Sequence, residues 1–303
     1  MSPRRKIQRE CGLQGRILVE FFSLATLVVI GLYGYRELQF AGPAMAAVGA
    51  MAGAAFASNS FVMQASQFSI LCMGLIFQQM LFLERGRGVL AGICWSLAMI
   101  KPQIALPFAM LFVLEKQWRG LVAGSTILMA LSLLTCWWTE VTPIEVINHW
   151  AFGMGMKFTG DTAHGVGAFA DSLGVSHRVL QVGAILLLGG LGAIVWWWVE
   201  RQRYNIDLLP AAGICAVLGE VLLYHHRYDA IMLLPTVLAL MVWAARRPTP
   251  VSISLTLLVA ATVLSPQRVI SWLPSGEMLF QLIWLLAACV LASVAVTSRR
   301  VEY

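Results

Sequence analysis

Charged groups are scarce in this chain, and the few that cluster interrupt apolar sequence. In "LLYHHRYDAIMLLP", residues 222–235, His225, His226, Arg227 and Asp229 bring two imidazoles, a guanidinium and a carboxylate together. In "LAMIKPQIALP" one ammonium, Lys101, stands before Pro102 and Gln103. A charge inside an apolar segment costs at least about 2.5–3.5 kcal/mol on insertion scales, so a retained one is a functional candidate. Cations of this kind hold a phosphate or another anionic headgroup; a carboxylate beside them orients them or handles a proton. The plainer alternatives are a turn with an internal Arg227–Asp229 pair, and a Lys101 that snorkels to the interface. No metal site is expected, because the adjacent histidines would diverge on a helix and no Cys/His spacing supports one.

These groups sit in a chain of 303 residues that is 59% hydrophobic and 12% charged. Soluble domains carry roughly 25% charged residues, so too few remain here to coat a water-facing surface. Runs such as "RVLQVGAILLLGGLGAIVWWWV" reach the length of about 20 residues that crosses a ~30 Å hydrocarbon core. They do not alternate as barrel strands would, and in lipid an apolar span must satisfy its own backbone, so the spans are helices. The fold expected is therefore all-α and polytopic, one membrane domain over residues 1–303 with 9–11 transmembrane or re-entrant helices. The net charge of +6 does not point to nucleic acid, because the basic residues come in pairs at span ends, where they set orientation. The scattered cysteines show no disulfide framework, and the basic N-terminus lacks a signal-peptide cleavage site.

Spans are predicted near 17–35, 41–57, 66–83, 89–100, 104–114, 120–138, 178–199, 206–224, 230–245, 251–265 and 278–297. The piece 89–114 reads either as one span kinked at Pro102 or as a hairpin with Lys101-Pro102-Gln103 at its tip. Charge decides for the hairpin. It puts Arg85, Arg87, Lys116, Arg119, Arg201, Arg203, Arg246, Arg247, Arg299 and Arg300 on one side, against Lys101, Lys157, Arg178, Arg227 and Arg268 on the other, as the positive-inside rule requires. Residues 89–100 then rise only ~18 Å, leaving Lys101 below the far edge of the core and within an outward-opening cavity that also holds the 225–229 stretch. The N-terminus fits less well: its basic residues fall on the wrong face unless 41–57 fails to cross or a preceding span is missing.

Other polar residues are ambiguous. Glu220 would pair with Arg227 or Lys101, or be protonated in an apolar pocket; Glu20 is similar. In the loop 139–177, Asp161, His164 or Asp171 could reach a ligand if the loop forms a lid, or be solvated on an interfacial connection. The tryptophans at 196–198 read as an interfacial anchor, and Gly189 to Ala193 as helix packing.

At "SQFSILCMGLIFQQMLFLERGRGVLAGICWSLAMIKPQIALPFAMLFVLEKQWRG" and "YHHRYDAIMLLP" the chain resembles glycosyltransferase family 87, integral membrane enzymes of the C-type fold similar to mannosyltransferases that use polyprenyl-phosphate mannose. The likeness covers roughly residues 60–245 and rests on Gln67, Arg85-Gly86-Arg87, Ala91-Gly92, Lys101-Pro102, and His226 with Asp229 in that order. It implies transfer of a hexose, mannose by analogy, from a lipid-phosphate donor to a lipid or glycan acceptor outside a bacterial plasma membrane. The anomeric centre would invert, and no cofactor is implied. Donor phosphate would fall to Lys101, His225, His226 and Arg227, and sugar or acceptor contacts to Gln67, Gln103 and His164. The base is unassigned among Asp161, Asp171 and Asp229. In the family the catalytic acid lies in the loop after the first span, a point the resemblance places before the start of this chain, and Ser66 stands where a glycine is expected; the expectations are a truncated member, a degenerate one, or an enzyme using another acid such as Asp161 or Asp171. The rival readings are a lipid or small-molecule transporter and an inactive scaffold, although no paired sequence repeat of the transporter kind is present.

Overall fold

The computed structural model describes residues 3–56, 68–148, 163–164, 177–202, 206–223, 225–264 and 276–297. Helices dominate: α1 Pro3–Leu38, α2 Pro43–Ala52, α3 Ser69–Glu84 and α4 Gly88–Ala98. Next come a broken α5, Pro102–Leu114, with Leu106–Ala109 wound as 3-10, then α6 Trp118–Thr139 and α7 Pro143–Asn148. After them come α8 His177–Gln202 and α9 Leu208–Leu222. A 3-10 segment, Arg227–Leu233, leads into α10 Leu234–Arg246, followed by α11 Pro250–Leu264 and α12 Gly276–Thr297. Ile17–Ala41, Trp118–Thr139 and Asp229–Arg246 are long and apolar enough to cross a membrane. This is the all-α membrane architecture expected from composition. The outward faces are apolar, with Trp138 80% exposed and Leu186 69% exposed, as suits side chains against acyl tails rather than water.

The shorter helices are packed inside the bundle. Phe77, Phe108, Phe112, Ile70, Met73 and Ile104 are fully buried where α3, α4 and α5 meet. The 89–114 segment is a hairpin, and the glycines prove it. Gly88 lies against Gln117 and Gly120, and Gly92 against Gly120 and Gly124. α4 and α6 therefore run the same way, and α5 must return between them. A Cβ on Gly92 would collide with the Gly120 carbonyl; only small residues allow this backbone approach. The Gly189–Ala193 spacing, read from sequence as packing, shows no such contact among the described residues: none lies within 4 Å of a Cβ at Gly189.

Pro107 breaks α5, and buried side chains take up backbone carbonyls there. Trp95 Nε1 donates to the Ala105 carbonyl (2.9 Å) and Gln79 Nε2 to the Phe108 carbonyl (3.0 Å). Irregular backbone at membrane depth survives when protein satisfies it in this way.

One predicted span needs correction. The first helix begins at Pro3 and its apolar part runs from Ile17, as expected, but α2 has only 10 residues, ~15 Å of rise, too short to cross. α2 instead folds back on α1, where Gly34 and Gly49 touch backbone to backbone. α1 runs parallel to α3, since Thr26 meets Gly74 and Arg36 meets Glu84. The basic N-terminal segment thus lies at the end of α1 away from Glu84, the face opposite the one positive charge favours, so the shortness of α2 does not relieve that misfit.

Candidate functional site

Lys101 gets its position from Pro102. A residue before proline is driven out of the helical region, and Lys101 adopts φ −121°, ψ 82° as α4 ends and α5 begins. The hairpin tip is pinned by Lys101 N–H donating to the Ala98 carbonyl (3.1 Å) and by Ile104 N–H donating to the Lys101 carbonyl (3.0 Å). From there the ammonium reaches two other parts of the chain. Nζ donates to Asp229 Oδ1 at 2.7 Å and to Ser69 Oγ at 2.8 Å. The Ser69 hydroxyl donates to the same Asp229 oxygen at 2.6 Å. Ser69 opens α3 and Asp229 lies in the 3-10 segment, so three distant stretches converge on one ring of hydrogen bonds.

The ring is buried. Asp229 and Ser69 are wholly inaccessible, and Lys101 is 9% exposed. An ion pair at that depth holds only with good geometry, and removing one partner costs about 3–5 kcal/mol because the other charge is left alone. Two carboxylate oxygens nearby in the fold, Asp229 Oδ2 and Glu220 Oε2, have no hydrogen-bond partner among the described residues. Among the described residues Asp229 pairs with Lys101; the Arg227 side chain, its expected local partner, lies outside them. Asp229 does not stand open to a substrate.

His225 and His226 do not stand on a helix. Their backbone forms a short antiparallel pairing, His226 opposite Ala163 and His225 opposite His164. The 139–177 loop therefore touches the 225–229 stretch at His164. Gln103 follows Lys101 by two residues and is half-buried. Asp161, Asp171 and Gln67 lie outside the described residues, as do the side chains of His164, His225, His226 and Arg227.

Sequence reading missed Ser69. A serine at the start of an apolar helix looks like a cap, and the faint signal was its place as the first polar group of "SILCMGLIF".

The opposite end of the bundle carries a different polar network. Arg36 bridges Glu37 and Glu84, Tyr33 O–H donates to Glu84 (3.1 Å), and Arg246 lies 3.8 Å from Asp207. Glu37, Glu84, Asp207 and Arg246 edge a cleft of about 550 Å³ with Trp243 and Arg247. Its carboxylates Glu37, Glu84 and Asp207 already face arginines, so it reads as a structural ion-pair rim. The buried ring at Lys101 is the better seat for chemistry.

Comparison with known proteins agrees with the fold. Neither curated proteins nor solved structures returned a match. The sequence profile of glycosyltransferase family 87 matches residues 14–224. That match starts well before residue 60, the lower bound of the motifs named above, and ends just short of His225–Asp229. With most of its length matching that profile and its helices those of a membrane protein, the chain belongs to glycosyltransferase family 87.

Proposed function

We propose that this chain moves a hexose, mannose by family resemblance, from a polyprenyl-phosphate donor to an extracytoplasmic lipid or glycan acceptor, with inversion. The bacterial plasma membrane is the proposed setting, and a C-type fold the proposed framework. The observation that carries the reading is the meeting of Lys101 with Ser69 and Asp229, 32 and 128 residues away in sequence. A fixed ammonium inside an apolar bundle is suited to a leaving lipid phosphate, because a preorganised charge in a dry site stabilises developing negative charge more than it would in water. His225, His226 and Arg227 follow on the adjoining strand and turn and supply the further cationic and hydrogen-bonding groups of that subsite. Gln67, Gln103 and His164 are assigned to sugar or acceptor. Asp161 and Asp171 remain the candidates for the base that takes the acceptor proton.

Lys101→Ala tests this. Sugar transfer from labelled polyprenyl-phosphate mannose, measured in membranes holding the full chain, should fall by about a hundredfold or more, the usual scale for removing one transition-state donor. Transfer at the unaltered rate would remove Lys101 from the donor site.

A further inference from the structure

Asp229 was a candidate base on sequence, and its surroundings bear on that role. The hydrogen bonds among Lys101 Nζ, Ser69 Oγ and Asp229 Oδ1 close a three-membered ring. Exposure within it is unequal: the Asp229 side chain has none, whereas the Lys101 side chain keeps 11%. Ser69 is inaccessible as well. A base must come within hydrogen-bond reach of the proton it removes. Asp229 offers no surface to an acceptor, and its Oδ1 is already occupied twice.

We propose that Asp229 is a positioning residue, acting through Lys101, and that Ser69 completes the positioning. A lysine has a flexible four-carbon stem, and at this depth an unrestrained ammonium snorkels toward water. The carboxylate anchors the charge and the serine hydroxyl fixes its direction, so the rotamer entropy is lost on folding rather than on donor binding. Lys101 alone of the three then meets the donor phosphate. This inference rests on the assignment of Lys101 to that phosphate.

The test is a double-mutant cycle on the full chain in lipid nanodiscs, read by binding of a radiolabelled short-chain polyprenyl phosphate. Lys101→Ala should weaken binding about tenfold or more, and Asp229→Asn by a similar factor, within the usual span of coupled residues. Asp229→Asn added to Lys101→Ala should change nothing further, because a residue acting through Lys101 has nothing left to act on. Asp229→Glu should recover part of the loss. In transfer assays Asp229→Asn should raise the KM for polyprenyl-phosphate mannose and leave the shape of the pH profile of kcat intact.

The inference is overturned if Asp229→Asn binds the probe normally while kcat collapses and the acid limb of the pH profile disappears, which is the signature of a base. Additive losses in the double variant also overturn it. Normal probe binding by Lys101→Ala has a different meaning: it removes the phosphate assignment itself. Should Asp229→Asn not be recovered as a monodisperse protein, Ser69→Ala carries the same cycle, since it deletes one hydroxyl and keeps the ion pair. Its loss must then vanish in the Lys101→Ala background, and an independent loss sinks the proposal.

Discussion

Ser69, Lys101 and Asp229 illustrate how a single charge persists among apolar helices: each polar atom of the ring is held by one from a different stretch of chain. The presence of Lys101 in an apolar run was legible, because its cost there demands a reason. Its partner was not, since a carboxylate two residues from Arg227 has an obvious local match and only tertiary packing chooses the distant lysine. A second, water-facing set of residues shows the contrasting exposed case. Thr142 N–H and hydroxyl each donate to Glu145 at 2.8 Å, and Glu145 N–H donates back to the Thr142 hydroxyl at 3.3 Å, a reciprocal cap of α7. The backbone N–H and hydroxyl of Thr142 hold the Glu145 carboxyl below the usual glutamate range. A depressed folded value means that the cap contributes fully above the unfolded value of about 4.3. The contribution is lost as pH falls through the lower folded value. Amide protection at Thr142, corrected for intrinsic exchange, should therefore hold down to about pH 4.3 and decline below it. Glu145→Gln should abolish that step; an unchanged profile would remove the carboxylate from the cap.

At the scale of elements, the α4–α5 hairpin and α6 form the frame that sets the height of Lys101. The hairpin itself was readable from charge placement and from the proline after Lys101. The contact that welds it to α6 was not, because Gly88, Gly92, Gly120 and Gly124 look like ordinary glycines until the two helices are known to be neighbours. Gly189, which the Gly189–Ala193 spacing marks for packing, meets none of the described residues within 4 Å of a Cβ. The contrast is testable. Gly120→Leu should destabilise the protein by about 1–3 kcal/mol or more, the range for forcing carbon into a packed contact, and shift its unfolding temperature in detergent downward. Gly189→Leu should leave that temperature nearly unchanged. Equal shifts would mean that the α4–α6 contact is not as close as described.

Across the whole molecule, charge is sorted between two ends. Arg85, Arg87, Lys116 and Arg119 are exposed at one, next to the Arg36–Glu84 and Arg246–Asp207 pairs. Lys101 and Asp229 are buried toward the other. Orientation by positive charge puts the first end in the cytoplasm, so a cysteine placed at Arg87, with Cys11 and Cys289 changed to serine, should react with an impermeant maleimide only after the membrane is opened. A cysteine at Glu140 should react in intact cells; the reverse pattern would invert the proposed topology. The all-α membrane character was legible because hydrophobic length is a local quantity, whereas α2 was overestimated because an Ala/Gly-rich segment is apolar enough to span yet lies on α1. The touching backbones of α4 and α6 carry a last implication. With no side-chain cushion between them they can neither slide nor splay separately, so the lysine stands on a stiff post. Any rearrangement that alters the surroundings of that ammonium therefore falls to the opposite wall of the ring, the 3-10 turn that carries Asp229.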